Sequence, residues 1–440
     1  MNEVYFINPK FTNGEDYYEL PLGMAYLISS VKKNTKSNVK VIDLALNKNK
    51  INDYKKIISK GSPIICMSVY SYFVDDIINI CKEIKEINNK VKIILGGPHI
   101  TIDGENFISE NLNFDYGIKG EGEYSLPNLI NAINNNTLDN DISNIEGLIY
   151  RYNGKIKSNP YSRIDNLGEI PSVIEGIKTF DLEKIKNITK SRISYIASRG
   201  CPFNCIFCSS SSLWGRKYKQ VPIDIVIKDI KELSILGFKH IDFRDDFFTV
   251  RKDWTYKLAK VLKELNIEWT CQTRLDSVDR KLLQTMYDSG CTIIRFGIES
   301  FNDKSLKLLK KGETYEKIIQ TLNILDKMDF KEIRLSLMIG IPDETMEDVK
   351  HTIDICKKYS RFKYRFWALT PIVGTELYDK RDEYGVKILN PEYNPTYSNI
   401  STRYLTNEEI NKILEDLHTD FDHPYPIWEH KEKVEVCKRR

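Results

Sequence analysis

The chain has 440 residues, which is enough for two or three domains with sizeable cores. Its 65 basic and 62 acidic side chains are interleaved and leave a net charge of +3, which does not predict nucleic-acid binding. No run of about 18 apolar residues occurs, so we expect no membrane span, and the nine scattered cysteines predict a reducing cytoplasm.

The first part of the chain alternates between strand and helix patterns. Short apolar runs predict strands at Val4–Asn8, Val39–Leu44, Ile64–Val69, Lys92–Leu95 and Asp115–Lys119. Helical spacing predicts helices at Leu22–Lys33, Asn52–Lys60, Asp75–Ile87, Glu105–Asn111 and Leu126–Asn134. Repeated βα units of this kind predict an α/β domain with a doubly wound, Rossmann-like parallel sheet over residues 1–140.

Two glycine loops follow the late strands of this domain, at Gly96–His99 and Gly120–Glu123. Glycine lets a backbone approach a flat ligand closely, but tight turns after strands also need it. The glycines alone therefore leave both interpretations open.

Residues 141–190 are predicted to form a hairpin and a linker. Asn153-Gly154 between two alternating segments is a strong hairpin signal. The proline- and glycine-containing stretch that follows reaches to about Ser191.

Strand and helix patterns alternate again over residues 191–380. Strands are predicted at Ile193–Ser198, His240–Arg244, Glu268–Thr273, Thr292–Ile298, Glu332–Ile339 and Tyr364–Leu369. We expect them to be mostly apolar on both faces, as in covered parallel sheets. Helix caps are predicted at Ser277, at Thr314 and in a capping box from Thr345 to Asp348. Six strand–helix units predict a partial (β/α)6 barrel, with ligands at the carboxyl ends of its strands.

Three cysteines, Cys201, Cys205 and Cys208, lie in a C-x3-C-x2-C loop after the first strand of this barrel. Three thiolates can hold three irons of a [4Fe–4S] cluster and leave the fourth iron without a protein ligand. A structural zinc site would need a second cysteine pair or histidines at fixed offsets, and the sequence has neither. The other cysteines are expected to be small core residues: Cys66, Cys81, Cys271, Cys291, Cys356 and Cys437.

The cysteine loop and the strand ends together resemble the barrel of radical S-adenosylmethionine (SAM) enzymes. By this resemblance, Asp245 or Asp246 would hold the methionine amino group of SAM, and the choice between them stays open. Arg274 would bind its carboxylate and Glu299 its ribose. The adenine would be flanked by Phe207, Gly340 and Ala368.

The front domain resembles the cobalamin-binding domain that precedes many such barrels, in the segments Pro21–Leu27, Leu95–Thr101 and Lys119–Tyr124. By resemblance, cobalamin would be lined by Ser68, Val69, Tyr70, Gly96, Gly97, Pro98 and His99. Many such domains carry D-x-H-x-x-G after the first strand, but Asn8–Gly14 lacks that histidine, so the lower cobalt ligand is open. His99 is a candidate, although we expect it to support the turn instead.

The tail, residues 381–440, is predicted to be mostly helical. Thr406 begins a helix that runs to about Phe421, and an irregular aromatic segment follows at His423–Trp428. We expect this tail to cap the barrel rather than to close over a substrate.

The resemblance implies a radical SAM enzyme that generates a 5′-deoxyadenosyl radical and uses cobalamin to methylate an unactivated carbon. The alternative is a cobalamin-dependent rearrangement or cyclisation without methyl transfer. Methylthiolation of tRNA would require further cysteines in the front domain, and a cobalamin carrier would not need the cysteine triplet. The implied partners are a small-molecule, lipid-like or peptide substrate and an electron donor such as flavodoxin or ferredoxin.

Overall fold

The computed structural model describes residues 2–9, 18–46, 51–390 and 397–421, with the backbone alone at 51–54. The predicted loop Asn8–Gly14 lies largely outside these residues, and His423–Trp428 and Cys437 lie wholly outside them. Two large sheets built mainly from parallel strands, each covered by helices, dominate the described residues. The described helices are all too short or too polar to cross a membrane.

The front sheet has seven strands in the order β2-β1-β3-β4-β5-β6-β7, and the first five are parallel. Its strands are β1 (Val4–Asn8), β2 (Val39–Asp43), β3 (Ile64–Ser68), β4 (Lys92–Gly96), β5 (Tyr116–Ile118), β6 (Leu148–Tyr152) and β7 (Lys155–Ser158). Its helices are α1 (Leu22–Asn34), α2 (Ile51–Ile58), α3 (Val74–Ile87), α4 (Pro98–Glu110) and α5 (Ser125–Asn135). The order 2-1-3-4-5 confirms the doubly wound prediction and places a ligand crevice at the carboxyl ends of β1 and β3.

The predicted hairpin is present and extends this sheet. Asn153 and Gly154 both have positive φ, 50° and 74°, as a type I′ turn requires. Strand β6 pairs antiparallel with β5, with Gly117 opposite Ile149. The hairpin part of the 141–190 segment therefore belongs to the front sheet. The predicted domain boundaries stay a prediction.

Helix α4 begins earlier than its sequence pattern indicates. The helix was expected to start at Glu105, but it starts at Pro98, and Asp103 interrupts it with non-helical angles. Proline suits the first helical turn because its missing N–H would have had no partner there. Gly104 sits at the interruption, where an added Cβ would come within 2.6 Å of the Ile149 side chain.

The linker contains three short helices and leads into the second sheet. These helices are α6 (Leu138–Asp141), α7 (Ile174–Ile177) and α8 (Leu182–Thr189). The second sheet has six parallel strands in the order β15-β14-β13-β12-β11-β8, which confirms the predicted partial barrel. Its strands are β8 (Arg192–Tyr195), β11 (His240–Phe243), β12 (Glu268–Thr273), β13 (Cys291–Glu299), β14 (Glu332–Ile339) and β15 (Lys363–Ala368). A two-residue pair, β9 (Ser198–Arg199) with β10 (Lys219–Gln220), adjoins the first strand.

Helices α9 to α15 connect these strands. They are α9 (Ser210–Trp214), α10 (Ile223–Ile235), α11 (Lys252–Glu264), α12 (Arg280–Asp288), α13 (Asp303–Leu308), α14 (Tyr315–Leu325) and α15 (Met346–Lys358). The caps at Thr314 and Thr345 are confirmed. The cap at Ser277 is wrong, because the Asp279 side chain accepts from the Leu282 N–H at the start of α12. The Ser277 hydroxyl instead donates to the Arg274 carbonyl.

The expectation that the barrel strands are apolar on both faces is wrong for β14 and β15. Buried and partly exposed residues alternate along both strands. The outward residues, such as Leu335 and Phe366, are fully buried under helices. The inward residues include Ser336 and Arg365, which are only partly buried because they face the lumen of the barrel rather than a second layer of helices.

The described tail packs on the outside of the barrel. It consists of the strand pair β16 (Lys387–Ile388) with β17 (Ile400–Ser401) and of α17 (Asn407–Asp420), and the short helix α16 (Glu376–Asp379) precedes it beside the cysteine loop. The capping box from Thr406 to Glu409 is present. His418 bonds the Phe366 carbonyl and Phe421 packs against the Phe366 ring, so α17 covers the last barrel strand.

Candidate active site between the two sheets

The cysteine loop leaves β9 and enters α9, and its centre is fixed by the buried Ile206. The Ile206 N–H donates to the Leu309 carbonyl at 3.1 Å, and the Ile206 carbonyl accepts from the Leu377 N–H at 2.9 Å. The three predicted ligands around it are unbridged and partly buried. The loop therefore presents three free thiols from a rigid support.

Two buried cations lie beside these thiols. The Arg274 guanidinium stacks 3.7 Å from the centre of the Phe203 ring, inside the cysteine loop. It also donates to both carboxylate oxygens of Asp276 and, at 2.7 Å, to the Lys311 carbonyl. The Lys311 ammonium lies 3.2 Å from Glu299 and 3.7 Å from Glu313. Sequence reasoning did not identify Phe203 or Lys311.

Burial and the neighbouring cations have opposite effects on the pKa values of the thiols. Burial raises the pKa of Cys205, while Lys311 and Arg274 act to lower it. Burial raises the pKa of Cys208 to about 12. Without a metal the thiols are protonated near neutral pH, and binding iron would release those protons.

The donor set fits a [4Fe–4S] cluster. Each thiolate of such a cluster binds a different iron, so its ligands lie farther apart than those of a single ion. In the described part of the chain, no three His, Cys, Asp or Glu side chains are arranged to hold one metal ion. Five other cysteines are buried, as predicted for core residues: Cys66, Cys81, Cys271, Cys291 and Cys356.

Asp245 and Asp246 have different environments. The Asp245 carboxylate is buried, accepts from the Ser198 hydroxyl and the Ala197 N–H, and has a pKa that burial raises to about 7. Asp246 accepts from the Ser210 hydroxyl at 2.7 Å, and it lines a cavity. Asp245 thus holds the strand that leads to the cysteines, while Asp246 faces open space.

The remaining predicted SAM residues lie at neighbouring strand ends. Glu299 has a φ of 69° at a bulge between β13 and β14, and its carboxylate turns toward Lys311. The Gly340 N–H donates to the buried Glu344 carboxylate at 2.8 Å. Phe207 packs on the barrel core and Ala368 is buried. Their contacts with SAM stay predictions.

The predicted cobalamin residues form two loops that pack on each other. The Val69 N–H donates to the Gly96 carbonyl, and the His99 N–H donates to the Val69 carbonyl. Gly97 has a φ of 94°, and a Cβ added there would lie 3.0 Å from both the Val69 nitrogen and its oxygen. Only glycine fits this junction, so the two loops form one floor at the carboxyl edge of the sheet.

Two connected cavities open over this floor. A slot of about 440 Å³ lies between the sheet and helices α1 and α5, with Met24, Cys66, Gly96 and Leu126 in its walls. A wider cavity of about 1050 Å³ lies between the two sheets. Both cavities are lined by Leu27, Ser68, Gly97, Gly120 and Gly122.

Tyr70 and Pro98 also line the wide cavity, but His99 lines neither. The His99 Nδ1 lies 3.1 Å from the Ser71 hydroxyl, and its ring packs edge-on against Phe107. None of the described residues that line the two cavities is a histidine. A narrow apolar slot joined to a broad cleft, with glycine backbone at the junction, fits a flat corrin with a buried tail.

The wide cavity is also lined by residues from both halves of the molecule that sequence reasoning missed. They are Tyr26, Glu121, Glu123, Arg199 and Trp214. Arg199 makes ion pairs with Glu121 at 2.6 Å and with Glu123 at 2.5 Å. The sequence places each of these residues in or near a motif, but it gives no sign of the ion pairs. The two pairs join residues more than 70 positions apart.

Comparisons with known proteins agree with this geometry. The family model of the radical SAM superfamily matches residues 195–356, and that of the B12 binding domain matches residues 16–130. The chain is 32% identical over 414 residues to an uncharacterized methyltransferase, PH0819, of Pyrococcus horikoshii, covering 91% of this chain and 87% of that protein. The chain belongs to the cobalamin-binding radical SAM family.

Two solved structures share the fold of this radical SAM protein. The radical SAM methyltransferase TsrM from Kitasatospora setae, with tryptophan and a SAM analogue bound, matches with a TM-score of 0.73 and 17% identity over 90% of this chain and 80% of that chain. The cobalamin-dependent radical SAM enzyme OxsB, with aqua-cobalamin and SAM bound, matches with a TM-score of 0.71 and 21% identity over 87% of this chain and 56% of that chain. The predicted family, fold and cofactors are confirmed: a [4Fe–4S] cluster, SAM and cobalamin.

Proposed function

We propose that this enzyme transfers a methyl group to an unactivated carbon of a substrate bound between the two sheets. One observation carries the proposal. The carboxyl edges of both sheets line the same cavity of about 1050 Å³, with Gly97 and Gly120 on one side and Ser198 and Asp246 on the other. Groups bound at the two edges would share that space with a substrate.

The residues of the chain bind and orient rather than react. Cys201, Cys205 and Cys208 would hold the cluster, and the loops around Ser68 and Gly97 would hold cobalamin. When bound, the cluster and SAM supply hydrogen-atom abstraction, and cobalamin supplies a transferable methyl group. The apolar slot and the closely packed loops would keep water from the reacting groups.

For SAM, we favour Asp246 over Asp245 as the carboxylate that binds the amino group. Asp246 lines the cavity, whereas Asp245 already accepts from Ser198 and Ala197 behind it. Arg274 is held by Asp276 and stacks on Phe203, so binding the SAM carboxylate would require it to share its donors. Glu299 shares its carboxylate with Lys311 in the same way.

The finer assignments are also part of this proposal. We infer that the substrate is a small natural product or a lipid-like molecule and that a flavodoxin or ferredoxin supplies electrons. The eight described cysteines are all free, which supports a reducing cytoplasm as the location.

The test is mass spectrometry of SAM products from anaerobically reconstituted protein with a strong reductant, with and without cobalamin. Formation of 5′-deoxyadenosine together with cobalamin-dependent S-adenosylhomocysteine is the expected result. Formation of 5′-deoxyadenosine unaffected by cobalamin would overturn methyl transfer and favour a rearrangement or cyclisation.

A further inference from the structure

A buried ion-pair cluster joins the two halves of the molecule beside the cysteine loop. The Arg199 Nη1 lies 2.6 Å from Glu121 and its Nη2 lies 2.5 Å from Glu123, so each carboxylate takes a different nitrogen. All three side chains are less than 10% exposed. Arg199 lies two residues before Cys201, whereas both glutamates lie in the glycine loop after β5.

Aromatic rings from both halves enclose the same guanidinium. Its carbon lies 5.1 Å from the centre of the Tyr26 ring, in α1, and 5.8 Å from the Trp214 ring, in α9. The Tyr26 hydroxyl donates to the Ile196 carbonyl at 3.1 Å, which adds a second link between the front domain and the first barrel strand. A cation held between two aromatic faces and two carboxylates has little freedom to move.

The connection from Arg199 to the cysteines is equally constrained. Gly200 has a φ of 83°, and an added Cβ would collide with the Lys217 carbonyl and lie 2.9 Å from the Trp214 Cβ. The second oxygen of Glu121 accepts from the Ile164 N–H at 2.8 Å, so the linker is fixed at the same point. The Arg199–Glu121 pair therefore joins three segments: the glycine loop, the linker and the start of the cysteine loop.

We propose that Arg199 is a positioning residue that couples the occupancy of the front-domain cavity to the geometry of the cysteine loop, through Glu121 and Glu123. The inference rests on the proposed function, because it assumes that cobalamin occupies that cavity. Glu121, Glu123 and Arg199 all line it, so a ligand there touches the same groups that hold the cluster loop. Coupling of this kind acts in both directions.

The experiment compares Arg199→Gln, Arg199→Lys and Glu123→Gln with the parent. Aqua-cobalamin affinity is measured by absorbance titration of the anaerobically reconstituted protein. The EPR spectrum of the reduced cluster with SAM is recorded with and without cobalamin. Lys178→Gln is the matched control, since it removes an ion pair with Glu232 that is about a third exposed and lies outside the cavity.

We expect Arg199→Gln to weaken cobalamin binding about tenfold, within the usual range of coupling between sites. It should also abolish the change that cobalamin makes in the cluster spectrum, while iron and sulfide content stay at the parent level. Arg199→Lys should recover part of both effects, because lysine keeps the charge but lacks the planar fork that gives each carboxylate its own nitrogen.

Parent-like affinity and an unchanged spectral response in Arg199→Gln would overturn the inference. If Arg199→Gln does not fold, Glu123→Gln provides the same two readouts, because Arg199 keeps Glu121 as a partner there. A parent protein that binds no cobalamin would instead refute the proposed function.

Discussion

The two large sheets are both built mainly from parallel strands, yet they offer ligands different surfaces. In the front sheet, β1 is buried along its whole length and only the carboxyl edge is open, so backbone at Gly97 and Gly120 forms the site. In the barrel, the inward face of β14 and β15 is partly exposed, so side chains can line the lumen as well as the edge. A flat sheet with helices on both faces binds with loops, whereas a curved sheet also binds with its concave face.

The largest effect that separates the two regions should come from the cluster loop. We expect Cys208→Ala to abolish SAM cleavage, because one of three iron ligands is lost. The measurements are iron content and 5′-deoxyadenosine formation. Cobalamin binding, which belongs to the front sheet, should persist.

Cys356→Ala is the control for this prediction, since Cys356 is buried in α15 away from the loop. It should cleave SAM as the parent does. Retained cleavage in Cys208→Ala would contradict the assignment of the cluster ligands.

The next largest effect should come from the inward face of the barrel. Asp242 is fully buried and bonds both terminal nitrogens of Arg295 at 2.9 Å. Burial favours a raised pKa for Asp242, but Arg295 outweighs it and the pKa is lowered. Asp242→Asn should lower the free energy of unfolding by about 3–5 kcal/mol, the usual cost of leaving a buried charge without its partner.

Chemical denaturation measures this loss. Asp253→Asn is the control, because its ion pair with Arg251 is more than half exposed and screened by solvent, so its loss should barely change the free energy of unfolding. Equal losses in the two variants would show that burial does not strengthen the Asp242 pair.

A smaller effect should be confined to the front sheet. Gly97 has φ 94° and ψ −176°, a region that residues with a Cβ essentially do not occupy. Gly97→Ala should destabilise the protein by about 1–3 kcal/mol and weaken cobalamin binding, because Val69 must move. SAM cleavage by the barrel should be retained.

Gly61→Ala separates backbone strain from crowding in this prediction. Gly61 also has a positive φ, 69°, but an added Cβ there meets nothing within 4 Å. Gly61→Ala should therefore destabilise the protein less than Gly97→Ala does and should leave cobalamin binding unchanged. Identical cobalamin affinities in the two variants would contradict the role of the Gly97 junction.

A last effect should be a pH dependence that belongs to the barrel. Burial raises the pKa of Glu344 from 4.5 to about 8, against the effect of the Gly340 and Ile341 amides. The folded state therefore holds a proton that the unfolded state loses first. Stability from this group is fully present below about pH 4.5 and is lost as the pH rises through 8.

Unfolding experiments between pH 5 and 9 measure this dependence, with Glu344→Gln as the comparison. The variant should lose less stability than the parent across that range, because glutamine cannot ionise. An equal dependence of the free energy of unfolding on pH in the parent and in Glu344→Gln would contradict the raised pKa of Glu344.

Much of the fold could be predicted because local signals were strong and mutually consistent. Asn153-Gly154 predicted its turn, and Thr345 with Asp348 predicted its capping box, since both depend on residues a few positions apart. The cap at Ser277 was wrong because Asp279 competes for the same helix start. The polar inward face of β14 was missed because the sequence does not show which face a helix covers.

The sequence by itself determined the two βα repeats and the cysteine triplet, because spacing and periodicity are properties of the chain, and the resemblance of its motifs to known ones indicated the family. Only the tertiary structure decided that Asp246 rather than Asp245 faces the cavity, that His99 turns toward Phe107, and that Arg199 joins the two halves. Those facts depend on contacts between residues far apart in the chain. Such contacts form only when the two sheets pack together.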